Sequence, residues 1–236
     1  MGETYNMNDM ERQQEVYRSL IGRNDVVFDI GANIGNRSAV FMSFCKRVIA
    51  VEPQNHIFEQ LKGRFRGSNV TTINTAIGAK PGTAKIHYPT DGSLGRHGVG
   101  TLSQEFMEAM GPKIFNLDKG WDAVQDVTVM TLDQLIAQHG VPGFIKLDIE
   151  GYEFEAVRGL SRKVNALSFE FHPQLSDEYQ RVIGDLMRLG FSVFNCCLAE
   201  TFQWELPVWV SGDRIIEYLE RFAGCQEIYG DVYAKS

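Results

Sequence analysis

The sequence has little of what would mark a secreted, membrane-bound or nucleic-acid-binding protein. Four cysteines occur in 236 residues (Cys45, Cys196, Cys197 and Cys225). None sits in a C-x-x-C pair, so neither a zinc site nor a disulfide framework is expected, and free thiols fit a cytoplasmic protein. No apolar run approaches the ~18 residues of a membrane span. The polar start, Met1 to Met7, has no apolar signal core. Positive charge is scarce too, with 23 Lys and Arg against 30 Asp and Glu and a net charge of −7. Proteins that track a nucleic-acid backbone usually carry a basic face; none is visible, and nucleic acid is not expected as a partner. Prolines number only 7, and no Pro/Ser-rich linker, repeat or low-complexity tract divides the chain. A single domain over 1–236 is expected, large enough to bury a core without staples. The oligomeric state is left open.

What is present is a repeating strand–turn–helix order. An N-terminal helix is expected over about 8–22, with Met10, Gln13, Gln14, Tyr17 and Leu20 in helical spacing and Gly22 as a stop. Val26 to Ile30, Arg47 to Val51 and Val70 to Ile73 read as strands, separated by helical stretches at 36–46 and 55–65. Further strands are expected at Phe144 to Leu147, Leu167 to Phe171 and Phe191 to Asn195, with a last one near Ile228 to Tyr233. This order predicts an α/β fold, a mostly parallel sheet with helices on both faces. The strands are apolar throughout, as strands covered on both faces should be. Between about 78 and 124 the pattern breaks into a glycine-rich insertion, with Lys85 to Tyr88 as one short strand. Its length suggests a lid, anchored by Leu102, Phe106, Met107, Phe115 and Trp121.

In such a sheet ligands bind beyond the carboxyl ends of the strands, where strand order switches. The first strand ends in Asp29-Ile30-Gly31-Ala32-Asn33-Ile34-Gly35. A dinucleotide turn, G-x-G-x-x-G, needs its second glycine so that backbone can approach a pyrophosphate. Asn33 stands there instead, which suits a smaller, zwitterionic group. Asp29 is an acceptor for an ammonium, and Glu52, 21 residues after Gly31, matches the acid that binds ribose hydroxyls. Ribose, no pyrophosphate and an amino-acid head group together describe S-adenosylmethionine. Asn74 and Ala76, just past the third strand, lie where an adenine edge would be met, although Asn74 also reads as a plain strand-end cap.

The second half of the site is Ile145-Lys146-Leu147-Asp148-Ile149-Glu150-Gly151-Tyr152-Glu153. Alternate strand residues share a face, so Lys146, Asp148 and Glu150 project together if the strand runs that far. Paired carboxylates at a strand tip are a functional candidate, whereas Glu153 also reads as a first-turn helix charge. On the next strand Ser168, Glu170 and His172 line one face. His172, titrating near neutral pH, is the preferred general base, with Glu170 as its support. Asp148 and Glu150 would face the acceptor, and Lys146 would neutralise them or orient the acceptor oxygen. A metal on Asp148, Glu150, Glu170 and His172 is conceivable from the donor types, but none is expected.

These residues carry a family resemblance. Val27 to Gly35, Val51-Glu52-Pro53, Asn74-Thr75-Ala76-Ile77-Gly78, Thr131-Leu132-Asp133, Ile145 to Glu153 and Phe169-Glu170-Phe171-His172-Pro173 look like successive motifs of the FkbM family of methyltransferases. The resemblance spans roughly 24–195. It implies a class I (Rossmann-like) methyltransferase fold, a seven-stranded sheet whose last strand is antiparallel. It also implies S-adenosylmethionine as cofactor and O-methylation of a small-molecule acceptor, often a sugar or natural-product hydroxyl. The competing readings are a nicotinamide-dependent oxidoreductase on a similar sheet and a non-catalytic nucleoside-binding module. Asn33 and the acidic turn after Leu147 oppose the first, and the clustered acids with His172 oppose the second.

Overall fold

The computed structural model describes residues 7–90, 98–114 and 120–236. Helix α1 (Met7–Arg18) stops before Gly22, because the Ser19 hydroxyl donates back to the Val16 carbonyl at 2.6 Å and Leu20 and Ile21 turn into the core. Then follow β1 (Val26–Ile30), α2 (Asn36–Phe41), β2 (Arg47–Val51), α3 (Asn55–Arg64), β3 (Val70–Ile73), β4 (Ala76–Ile77) and β5 (Gly82–Tyr88). The chain continues with α4 (Gln104–Ile114), β6 (Ala123–Met130), α5 (Leu132–His139), β7 (Phe144–Leu147) and α6 (Glu153–Arg158). It closes with β8 (Ala166–Phe171), a 3-10 turn at Pro173–Leu175, α7 (Ser176–Arg188), β9 (Val193–Leu198), α8 (Gly212–Glu220) and β10 (Gly230–Lys235).

Seven strands form one sheet in the order β3-β2-β1-β7-β8-β10-β9. All neighbours are parallel except β10, which is antiparallel to both β8 and β9. Apolar residues of each strand divide between two cores, one per face. Phe28, Ile145, Leu147 and Phe169 pack against α5, α6, α7 and α8 on one side. Val27, Phe144, Ala166 and Tyr233 pack against α1, α2 and α3 on the other. The strand order reverses between β1 and β7, so the crevice beyond their carboxyl ends is where a ligand belongs.

The glycine-rich stretch is more regular than its composition predicts. Strands β5 and β6 pair antiparallel over seven register positions and join β4 in a second, three-stranded sheet. Ile86 and Val127 face a small core with Ala76, while their strand neighbours face solvent. Helix α4 docks Phe106 and Met110 on Leu175, with Trp121 beside them. The proposed anchor Phe115 lies outside the described residues, as do 91–97. All four cysteines are free thiols. No described helix is long and apolar enough to cross a membrane.

Candidate active site

Beyond β1 the backbone turns through left-handed conformations at Gly31 (φ 79°), Asn33 (φ 52°) and Gly35 (φ 86°). At Gly31 glycine is needed twice over, since a Cβ there would also collide with the carbonyl oxygen of Asp148. The turns after β1 and β7 therefore touch. Glu52, 3% exposed, accepts the Asn33 N–H on Oε2 at 3.0 Å and the Gln54 N–H on Oε1 at 2.8 Å. Burial pushes its carboxyl up to about 7. Asn74 caps the strand end, its amide donating to the carbonyls of Glu52 at 3.0 Å and Pro53 at 3.1 Å.

A cleft opens between these turns. Of the residues expected to hold a cofactor, Gly31, Asn33, Glu52, Ala76 and Asp148 line it. Asp29 and Gly35 stand behind its wall: Asp29 is 1% exposed and accepts from the Ser38 hydroxyl at 2.5 Å, and Gly35 backs onto Phe65 and Leu61. Asn74 is exposed at the strand end. Lining residues not among the expected site residues include Gln54, Thr75, Gly98, Gly100 and Tyr152, with Leu102, an expected lid anchor, beside them. Gln54 has a sequence signal, two places after Glu52; Gly98 and Gly100 belong to the glycine-rich insertion of which Leu102 is an expected anchor, but no local spacing assigns them to the cleft.

On the other side of the switch point a polar row crosses the sheet. Asp29 stands opposite Lys146, Lys146 opposite Ser168, and Ser168 opposite Tyr233. One step nearer the site, Glu170 faces Asp231 of β10, a residue that sequence reasoning did not place. Lys146 is 2% exposed and its ammonium meets Asp148 Oδ2 at 2.5 Å. Burial works against that charge, but Asp148, Asp231 and Asp29 outweigh it and raise the ammonium's pKa. Burial also works against the Asp148 carboxylate, and here Lys146 wins, holding it below the usual carboxylate range.

The strand β7 ends at Leu147, short of the extension needed to align Glu150 with Lys146 and Asp148. Glu150 instead sits at φ 55°, fixed by two bonds: the Ile149 N–H donates to Glu153 Oε1 at 2.9 Å, and the Thr101 hydroxyl to the Glu150 carbonyl at 2.6 Å. Glu153, 1% exposed, is thus a brace of the turn. The result is convergence: one donor atom each from Glu150, Glu170 and His172 lies within 4.8 Å of the others. Burial and the neighbouring Glu170 and Asp148 raise the Glu150 carboxyl well above its ordinary value. His172 is 8% exposed, with Nε2 3.2 Å from Glu170 Oε2 and Nδ1 without a protein partner. Burial disfavours the imidazolium, yet the Glu170 carboxylate outweighs it, so His172 titrates above the ordinary histidine value. The ring is boxed by Phe106 at 5.5 Å and Tyr229 at 6.4 Å between centroids.

The sheet order, its one antiparallel strand and a cleft at the β1–β7 switch point define a class I, Rossmann-like methyltransferase fold. A family model described as the methyltransferase FkbM domain matches residues 29–223. The chain belongs to that family, whose cofactor is S-adenosylmethionine, and this sets aside the nicotinamide reading. It is 24% identical over 174 residues to the hexuronic acid methyltransferase AglP of Haloferax volcanii. That match covers 71% of this chain and 64% of AglP, so the chain spans less than two thirds of that relative. Among solved structures it is similar to a precorrin-8w decarboxylase of Methanobacterium thermoautotrophicum, with 12% identity, TM-score 0.48, and 94% of this chain and 89% of that one covered. Another is a precorrin-6y C5,15-methyltransferase of Geobacter metallireducens, with 12% identity, TM-score 0.45, and coverages of 98% and 90%.

The cleft fits this cofactor in its charge. Glu52, Asp148 and Glu150 line it, and no lysine, arginine or histidine is among the described lining residues. Such a wall favours a cation and opposes a pyrophosphate.

Proposed function

We propose that the chain methylates a hydroxyl of a sugar or sugar-like small molecule, using S-adenosylmethionine. The observation that carries the reading is the convergence of Glu150, Glu170 and His172 beside the acid-lined cleft. The bound cofactor supplies a methyl group already activated on a sulfonium, which leaves the protein two tasks, positioning the acceptor and removing its proton. Gly31, Asn33, Glu52, Ala76 and Asp148 would hold the cofactor, with Glu52 on the ribose hydroxyls and Asp148, kept ionised by Lys146, beside the cationic half. Asp29 and Gly35 act from behind as supports of the turn, and Asn74 holds the strand end at Glu52 and Pro53. Glu150 and Glu170 offer acceptor oxygens suited to a polyol.

With Nε2–H donating to Glu170, the imidazole keeps its lone pair at Nδ1, a buried atom with no protein partner, and that atom would receive the hydroxyl proton. Glu170 then stabilises the imidazolium that forms. A carboxylate acceptor would need no such base, and the surrounding acids would repel it, so a hydroxyl is the better substrate group. The name of AglP, a hexuronic acid methyltransferase, supports a sugar as acceptor class.

Glu52→Ala is expected to weaken S-adenosylhomocysteine binding at least about tenfold, near 1.4 kcal/mol, through loss of charge-assisted bonds to the ribose. The affinity of the unaltered protein should also fall as pH drops through about 7, where Glu52 takes up its proton. Calorimetry across pH reads both effects; equal affinity in the variant would put the ribose elsewhere. Chelation is expected to leave turnover unchanged, since His172 is already engaged with Glu170. Activity lost in chelator and restored by Mg²⁺ or Mn²⁺ would recast Glu150, Glu170 and His172 as metal ligands.

A further inference from the structure

We propose that Gln54 is a further cofactor-binding residue, one that links the cofactor cleft to the acceptor side through Gly98–Leu102; the inference rests on the S-adenosylmethionine reading of the cleft. Gln54 follows Glu52 by two residues and is fastened to it, its N–H donating to Glu52 Oε1 at 2.8 Å. The residue lines the cleft and is 2% exposed. Its Nε2 donates to the carbonyl of Gly98, while its Oε1 is buried with no partner in the protein. Buried polar atoms are nearly always paired, so an unpartnered acceptor on a cleft-lining residue points to a donor on the ligand. A nucleoside carries such donors, its ribose O–H and exocyclic N–H groups, and the neighbouring Glu52 is an acceptor of the same kind.

The carboxamide cannot easily swing away. Gly100 lies flat against it, and a Cβ at that position would come within 2.9 Å of Gln54 Cδ. The same segment is tied at its other side to the acceptor half. The N–H groups of Thr101 and His87 each donate to the other's carbonyl at 2.9 Å, and the Thr101 hydroxyl holds the Glu150 carbonyl at 2.6 Å. A nucleoside bound at Gln54 therefore steadies Gly98–Leu102, and through Thr101 it steadies the turn that presents Glu150. Cofactor should bind first and prepare the acceptor site.

Calorimetry with S-adenosylhomocysteine and with adenosine, joined to hydrogen exchange of residues 98–103, tests this on the full chain. Bound ligand is expected to slow exchange there in the unaltered protein. Gln54→Met, which keeps the side-chain volume, should weaken both ligands by about tenfold and abolish that slowing. Thr101→Val, an independent change, should leave S-adenosylhomocysteine affinity within twofold while removing ligand-induced protection around Glu150. Wild-type affinity in Gln54→Met, or a loss confined to S-adenosylhomocysteine with adenosine unaffected, would overturn the inference. An unaltered protein that binds neither ligand would instead overturn the cofactor reading beneath it.

Discussion

Replacing His172 with alanine is expected to lower turnover by roughly 10²–10⁴-fold, the range that a positioned general base supplies. The sugar hydroxyl is a weak nucleophile at neutral pH, so its proton must leave as the methyl arrives. Among the converging groups, His172 is the one whose chemistry suits that task. Asp148 is held too acidic by Lys146, while burial and like-charged neighbours raise the Glu150 carboxyl and so disfavour the carboxylate form that could accept a proton. S-adenosylhomocysteine affinity should stay within about twofold, because His172 is not among the residues lining the cofactor cleft. The pH profile gives a second check. A base must be neutral to act, and Glu170 raises the His172 pKa, so the acid limb should have its midpoint above the ordinary value of ~6.5. Glu170→Gln removes that bias and should move the midpoint downward. Wild-type turnover in His172→Ala would take the imidazole out of the mechanism.

Lys146→Met is expected to destabilise the fold by about 3 kcal/mol, the low end of what breaking a buried ion pair costs. Methionine fills the space, so the loss is of charge. Asp148 is 37% exposed and can find water. Asp29, 1% exposed, cannot. Burial already raises the carboxyls of Asp29 and of Asp231, the latter to about 6, and in both cases Lys146 opposes that rise. Without the ammonium both pKa values climb further above their unfolded values. A group raised in this way favours the fold while protonated and loses that contribution as pH rises through its folded pKa. The deficit of the variant should therefore be smaller near pH 5 than near pH 8, as urea unfolding at the two pH values would measure. Adding Asp29→Asn should recover part of the loss at pH 8. A deficit independent of pH would mean that Lys146 serves packing alone.

The sequence made the parallel half of the fold legible because β1, β2 and β7 are short, continuous apolar runs followed at once by turn residues. Asp29 to Gly35 and Glu52 could be read in the same way, since a strand-end turn and its acid are local features. Two kinds of information were not local. The β5–β6 pairing joins segments separated by more than thirty residues, and each strand buries one face only, so glycine density masked it. Asp231 comes opposite Glu170 only because β10 inserts antiparallel between β8 and β9, a topology that no spacing encodes. Lys146, Asp148 and Glu150 share one face only if the strand continues past Leu147. The strand stops at Leu147 and the chain reverses sense at Glu150 (φ 55°), which is what brings Glu150 to Glu170 and His172. Asn74 makes the capping bonds to Glu52 and Pro53 that a strand-end residue can make.

The central claim is methyl transfer to a sugar hydroxyl. Its most direct test is mass spectrometry of sugars and uronic-acid glycosides incubated with the protein and methyl-deuterated S-adenosylmethionine. The account predicts products that gain one labelled methyl as an ether, stable to mild base, with none formed by His172→Ala. A label released by mild base would mark a methyl ester on a carboxylate and would contradict it.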